Sequence, residues 1–469
     1  MTEHSNSLST PLFDILDFNF GDRRINSRAN FMANTMVKNM GKSLPQIFCN
    51  PADTKGAYRF LENNLVTPEK ILQPHINETI KRCKNEKVIA VLNDSTDTSY
   101  DYMECLEGLN PLHTNVDKGF RIHPSLVITE KGTPLGILFT TNYTRDSSKT
   151  PKKHRNSLPI EEKESYRWVL SYREADKLAK KLPDVQVIHI GDRENDIYEC
   201  FQDAEIDVNV NQGKAYLITR SNHNRCLSDA TDNTNDKLEK KLIRCPVQIE
   251  GKIILNKYRD SEHTALVAIR ACEVLIKAPN TCKKKSLPPI RMNAVLVSEI
   301  DPPKGVKPLH WLLLTTLPIN TPEEIMRVVS LYSKRWCIEI YFKVLKSGCK
   351  IEAIRFQSPE KIENFIAFAM ILAWKSMLAT YLPREYPLEP CTCMFTEIEW
   401  KLVFRKMKGL TIPFPEKPPT LKEMVDLVAM LGGYQKRKDP PGIQTVWRGI
   451  TRLMDMVQGY ELTQGLGLG

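Results

Sequence analysis

Two apolar runs, each closed by an aspartate, constrain this chain most. Lys87-Val88-Ile89-Ala90-Val91-Leu92 leads to Asp94, and Val185-Gln186-Val187-Ile188-His189-Ile190 leads to Asp192. Short apolar runs of this kind read as strands of a buried sheet, so both carboxylates fall at strand ends. A lone strand-end Asp is usually a helix cap or turn former. A third acidic group far downstream raises these two above that reading. Tyr332, Arg335, Glu339 and Lys346 lie at steps of three, four and seven in a segment that reads as one helix. At 100° per residue the four side chains fall within roughly 60° of one another. One face then carries a hydroxyl, two cations and a carboxylate, while Ile338, Tyr341 and Leu345 make the other face apolar. Thr321-Pro322-Glu323-Glu324, with a Thr-x-x-Glu capping box and a proline at the first helical position, marks the start. For four residues alone, a solvated stripe is the plain alternative.

The elements between the carboxylates give the fold class. After Asp94 comes a hairpin, with strands at 125–129 and 135–139 around a turn at Lys131-Gly132, then a helix over 161–182 that leads into the strand ending at Asp192. From about 205 to 310 helical periodicity fades and short strands take over. His310-Trp311-Leu312-Leu313-Leu314-Thr315 then returns as a buried strand before the striped helix. Strand, hairpin, helix, strand, with a glutamate far downstream, is the order of a ribonuclease-H-like nucleotidyl-transfer core. The expected class is therefore α/β: such a core over 76–383 with a β-rich insertion at about 205–310, flanked by helical regions at 1–75 and 384–469. Pro383 to Pro419 reads as an irregular linker, followed by helices at 421–431 and 445–456.

The chemistry follows from the donor type. A phosphodiester repels nucleophiles, and two divalent ions about 4 Å apart solve that by activating the attacking oxygen and stabilising the leaving one. Hard carboxylate oxygens suit Mg²⁺ or Mn²⁺. Asp94, Asp192 and Glu339 are the expected ligands of two ions, with Asp97 placed past its strand end and Asp196 one turn into the next helix as weaker candidates. The net charge of +10 over 469 residues is moderate. Its clustering, at Arg23 to Arg28, Lys152 to Arg155, Lys283 to Lys285, Lys343 to Lys346 and Lys436 to Lys438, favours a polyanion partner. The amino-terminal helices carry Arg23, Arg24, Arg28, Lys42, Lys55 and Arg59; they fit a DNA-docking module or a plain helical cap. No apolar run approaches the roughly 20 residues of a membrane span, and the first residues lack a secretion signal, so a cytoplasmic location and no membrane partner are expected. Twelve scattered cysteines without a Cys-x-x-Cys read as reduced thiols.

Tyr332-x2-Arg335-x3-Glu339-x6-Lys346 resembles the Tyr-Arg-Glu-Lys signature of the insertion-sequence-four family of DDE transposases. Further similar stretches are Gly56-Ala57-Tyr58-Arg59-Phe60, Asp94-Ser95-Thr96, Asp192-Arg193-Glu194 with Asp196-Ile197, and Trp311-Leu312-Leu313-Leu314-Thr315. The resemblance implies cut-and-paste DNA transposition in the bacterial nucleoid. A transposon end is nicked, the freed 3′-OH attacks the opposite strand to leave a hairpin, and the reopened end joins target DNA. It also implies that Asp94, Asp192 and Glu339 are catalytic metal ligands and that Tyr332, Arg335 and Lys346 contact phosphates beside the hairpin. Lys343 would add another phosphate contact, Arg220 lies in the block that borders the site, and Arg355 is a further candidate DNA contact. Trp311 resembles the indole on which a flipped base stacks, although it also suits a buried strand; Trp336 either wedges into the same gap or packs. The six amino-terminal cations would touch the transposon-end inverted repeats, and the helices of 384–469 would make a homodimer in a synaptic complex. An end-binding regulator without catalysis and a structure-selective nuclease on the same core stay open as alternatives.

Overall fold

The computed structural model describes residues 17–101, 109–112, 118–143, 158–205, 213–228, 237–255, 263–279, 287–305, 307–436 and 439–466. The basic clusters at 152–155 and 283–285, most of that at 436–438 and the last three residues lie outside the described residues.

In chain order, the described residues begin with four helices: α1 (Arg23–Lys38), α2 (Leu44–Phe48), α3 (Pro51–Leu61) and α4 (Pro68–Cys83). Their starts are chemical. Asp22 caps α1, Asn50 caps α3 and Thr67 caps α4, each accepting from a first-turn amide, and α2, α3 and α4 have a proline in the first turn. Strand β1 (Val88–Asn93) is followed by β2 (Thr96–Ser99) and by β3 (Lys118–Thr129) and β4 (Pro134–Tyr143), a hairpin longer than the apolar runs alone predict. Then come α5 (Tyr166–Lys181), β5 (Gln186–Gly191), α6 (Tyr198–Ala204), β6 (Tyr216–Arg220) and α7 (Leu238–Arg244), the last a helix that fading periodicity concealed. A run of strands follows: β7 (Ile249–Leu255), β8 (His263–Ile276), β9 (Ile290–Glu299) and β10 (His310–Thr315). The chain finishes with α8 (Pro322–Ser333), α9 (Trp336–Lys343), α10 (Pro359–Glu385), α11 (Glu397–Lys408), α12 (Leu421–Leu431) and α13 (Ile443–Gly465). This is an α/β fold with a mixed, open sheet between helical amino- and carboxy-terminal regions, consistent with a ribonuclease-H-like core flanked by helical domains.

The chain divides into two compact units, one of residues 87–94 and 147–336, the other of residues 1–86, 95–146 and 337–469. In the first, β1 lies parallel to β5 and β5 parallel to β6, after which β6, β10, β9, β8 and β7 continue antiparallel. The parallel strands are apolar on both faces: Ile89 to Leu92, Val187, Ile188 and Ile190, and Leu217 with Ile218 are fully buried, as interior parallel strands require. Although it falls within the span of fading helical periodicity, β6 is a parallel neighbour of β5. The antiparallel meander begins beyond it.

In the other unit, α10 is the central helix. It is long and apolar enough to cross a membrane by composition, but 94% of its most apolar window is buried within the protein. Trp374 donates to the carbonyl of Pro134 at 3.0 Å and lies under the Arg82 guanidinium at 4.5 Å, while Asn364 donates to Leu61 and Val66 carbonyls. Pro383, expected to open a linker, sits inside this helix, and α11 follows in the proline-rich stretch because Thr396 and Glu399 form a capping box. Helices α12 and α13 approach backbone to backbone. A Cβ on Gly449 would stand 1.8 Å from the Val428 carbonyl oxygen, and one on Gly432 1.8 Å from that of Thr445. Gly449→Ala is therefore expected to lower stability by about 1–3 kcal/mol in denaturant unfolding of the full chain; an unchanged midpoint would mean that the helices separate freely.

Candidate active site

Strand register positions the first two carboxylates. Leu92 pairs with Ile190 and Ile190 with Ile218 across the parallel strands. Two residues on from that row come Asp94, Asp192 and Arg220, so one rim of the sheet presents two acids and a cation on neighbouring strands. Trp311 comes to the same rim from β10, whose Leu313 pairs with Arg220 in the antiparallel sense.

The local chemistry holds these groups in place. Asp192 Oδ1 accepts the Glu194 amide at 2.8 Å, and the Thr219 hydroxyl donates to the Asp192 carbonyl at 3.1 Å. Gly191 is required before it, because a Cβ there would stand 2.5 Å from the Asn195 side chain. Burial pushes the Asp192 carboxyl above the usual carboxylate range; the Glu194 amide, Arg335 and Arg167 pull it back, and the Glu194 charge adds to the rise. Arg167, itself buried, pairs with Glu194. The Arg335 guanidinium meets Asp94 Oδ2 at 2.7 Å, with the two side chains only 16% and 17% exposed.

Tyr332 is buried, which raises its phenol, with Arg335 and Arg220 opposing that rise. Arg220 is drawn below the usual guanidinium range by burial and is tied to the His310 carbonyl at 2.7 Å. Trp311 meets Tyr332 edge to face at 5.1 Å between centroids and is half-buried. Trp336 is 41% exposed.

The striped segment departs from the expected single helix. At Lys334 and Arg335 the amides bond back three residues, to Leu331 and Tyr332, and the helix breaks between α8 and α9. After Lys343 the backbone widens into a π turn over Val344–Gly348, closed by the Cys349 amide on the Val344 carbonyl at 2.9 Å. One tight turn and one wide turn interrupt the segment, so it is not a single regular helix of uniform 100° steps. Tyr332 and Arg335 belong to the unit that holds Asp94 and Asp192, whereas Glu339, Lys343, Lys346 and Arg355 belong to the other. There, Glu339 and Lys343 are half-buried on α9 and Arg355 is exposed. The Lys346 amine meets the Asp97 carbonyl and lies 3.3 Å from Glu352.

The two weaker candidates have structural partners. Asp97 lies past the end of β1, within β2, and accepts from the Arg121 guanidinium at 2.5 and 2.7 Å. Asp196 precedes α6 instead of lying inside it. It is buried against Arg225 at 2.6 Å and accepts from Ser221 and from the amides of Asn222 and His223. It thus fastens the loop that follows Arg220, a role that no spacing reveals.

Of the amino-terminal cations, Arg23, Arg24, Lys55 and Arg59 are exposed. Lys55 and Arg59 also line a cleft of about 540 Å³ with Pro45, Asn50 and Tyr58. Arg28 pairs with Asp53 at 2.8 Å and Lys42 with Asp455 at 3.0 Å.

Residues 14–66 match the transposase DNA-binding family, and residues 172–374 match the transposase DDE domain. Residues 172–374 are thus similar to a transposase DDE domain. The enzyme thus acts in nucleotidyl transfer and phosphodiester hydrolysis, and its partner is DNA. The DDE match takes in every site residue from Asp192 to Arg355, and Asp94 precedes it; the DNA-binding match takes in all six amino-terminal cations. DDE domains as a class use divalent metal ions. Among the described residues no group of three or more His, Cys, Asp and Glu side chains is gathered to hold one. The donor chemistry of the rim nonetheless fits: Asp94 and Asp192 offer hard oxygens on adjacent strands.

Burial of Asp192 has a consequence for stability. Its raised carboxyl favours the neutral form in the folded chain, so this group's contribution is most favourable below the usual carboxylate range and declines as pH rises through the folded value. Asp192→Asn keeps the acceptor for the Glu194 amide. It should raise Tm at pH 7 relative to the parent, with the gain shrinking below about pH 4; a pH-independent difference would remove the burial argument.

Proposed function

We propose that the enzyme is a cut-and-paste DNA transposase that excises its element through hairpinned ends, in the manner of the transposon Tn-five transposase that its signature resembles. The observation that carries this reading is the register that sets Asp94 and Asp192 side by side, with Arg220 and Trp311 on the same rim. Asp94, Asp192 and Glu339 would hold Mg²⁺ or Mn²⁺. A bound pair of such ions supplies activation of the attacking oxygen and charge relief at the leaving oxygen.

The remaining work falls to the protein's own groups. Arg335, Arg220, Lys343 and Lys346 bind phosphates of the transposon end, and the buried Tyr332 phenol stands beside the Arg335 and Arg220 charges. Trp311, braced edge to face by Tyr332, stacks a base turned out of the duplex, which offsets part of the cost of unstacking. Exposed Trp336 enters the gap so left. The cations of α1 and α3, with Arg355, grip the end sequence, and the carboxy-terminal helices pair two copies of the chain in a synaptic complex. A cytoplasmic, bacterial setting suits such an element.

Asp94→Asn, Asp192→Asn and Glu339→Gln should each abolish cleavage of an end-bearing duplex while leaving its binding within a few fold, since distant phosphate contacts persist. Cleavage near the parental rate in any of them would reject the assignment. Joining of a labelled 3′-OH end to target DNA separates a transposase from a nuclease, which joins none. Trp311→Ala should slow hairpin formation by ten-fold or more, on the order of the 1–3 kcal/mol of base–aromatic stacking, and slow first nicking less; equal slowing of both would make it structural.

A further inference from the structure

The site described above contains a cation with two possible anionic partners. Arg335 is bonded to Asp94 at 2.7 Å, and both side chains are largely shielded from water. In the proposed reaction the same guanidinium serves a DNA phosphate. Carboxylate and phosphate match the planar guanidinium fork in the same way, so they compete for it. Its backbone sits at the interruption between α8 and α9, outside both helices. Arg220 donates to the His310 carbonyl at 2.7 Å. Arg335 is instead held by an anionic group, Asp94, for which a phosphate can substitute.

We infer that Arg335 is the internal counter-ion of Asp94 and that its transfer to a DNA phosphate opens Asp94 to a divalent cation. It acts through Asp94 and is in that respect a positioning residue. While the pair is closed, a positive charge rests on one oxygen of the first carboxylate and opposes a second cation there. When a phosphate takes the guanidinium, that opposition falls away at Asp94. Metal and DNA then strengthen each other, and by linkage each must strengthen the other by the same factor. The device restrains metal-dependent hydrolysis until a DNA end is seated. This inference rests on the carboxylate assignment made under the proposed function.

The test is Mn²⁺ binding to the full chain, read by electron paramagnetic resonance. It is made without DNA and with a duplex that ends at the cleavage point, so that no chemistry intervenes. The parent should bind Mn²⁺ about tenfold more tightly with the duplex than without it, within the usual range of coupling between sites. Arg335→Gln should bind Mn²⁺ about that much more tightly than the parent without DNA and gain little from the duplex. Arg335→Lys, which keeps the charge but loses the fork, should fall between them and guards against a folding defect in the first variant. Equal or weaker Mn²⁺ binding by Arg335→Gln in the absence of DNA would overturn the inference. Asp94→Asn separates the two failures. If it loses Mn²⁺ binding while Arg335→Gln changes nothing, only the counter-ion role is wrong. If it binds Mn²⁺ as the parent does, Asp94 is no ligand and the assignment falls with the inference.

Discussion

Backbone hydrogen bonding between β1, β5 and β6 is the constraint on which the candidate site depends. Parallel strands in register carry equivalent positions to the same rim, so pairing Leu92 with Ile190 and Ile218 commits Asp94, Asp192 and Arg220 to one edge. A slip of one residue would turn every side chain of a strand to the opposite face. Strands apolar on both faces do not resist such a slip by burial alone; contacts particular to one position resist it, among them the Thr219 hydroxyl on the Asp192 carbonyl and the close approach of Gly191 to the Asn195 side chain.

Charge at that rim is balanced by the protein itself. Two carboxylates leaving a buried sheet are costly unless paired or hydrogen-bonded. Asp192 meets that cost with the Glu194 amide and with the nearby Arg335 and Arg167 charges, and Asp94 meets it with Arg335 directly. Asp196 and Asp97, which look equivalent along the chain, are each closed by their own arginine, Arg225 and Arg121. An acid wholly committed to fastening a loop or a strand is a poor candidate for chemistry.

Much of this was legible in the residues. The apolar runs before Asp94 and Asp192 are strands within a residue or two of where they were expected, and Thr321 caps α8 by accepting the Glu324 amide. Proline misled the reading of 383–419, because Pro383 continues α10 and the Thr396 capping box starts a helix that prolines elsewhere in the stretch obscured. The break at Lys334 and Arg335 carries no proline or glycine, and the π turn that follows ends on Gly348 without any earlier sign.

Sequence alone determined the types of element and the acids that end them, because apolar periodicity and capping chemistry are local properties of neighbouring residues. It also determined that two families of DNA-processing domain are present, since both matches rest on residues in chain order. Only tertiary structure decided which cation answers which acid. Arg335 reaches Asp94 across 241 positions of chain and Arg225 reaches Asp196 across 29. Such pairings depend on strand register and on where a helix breaks, and both arise from packing between segments that no local pattern records.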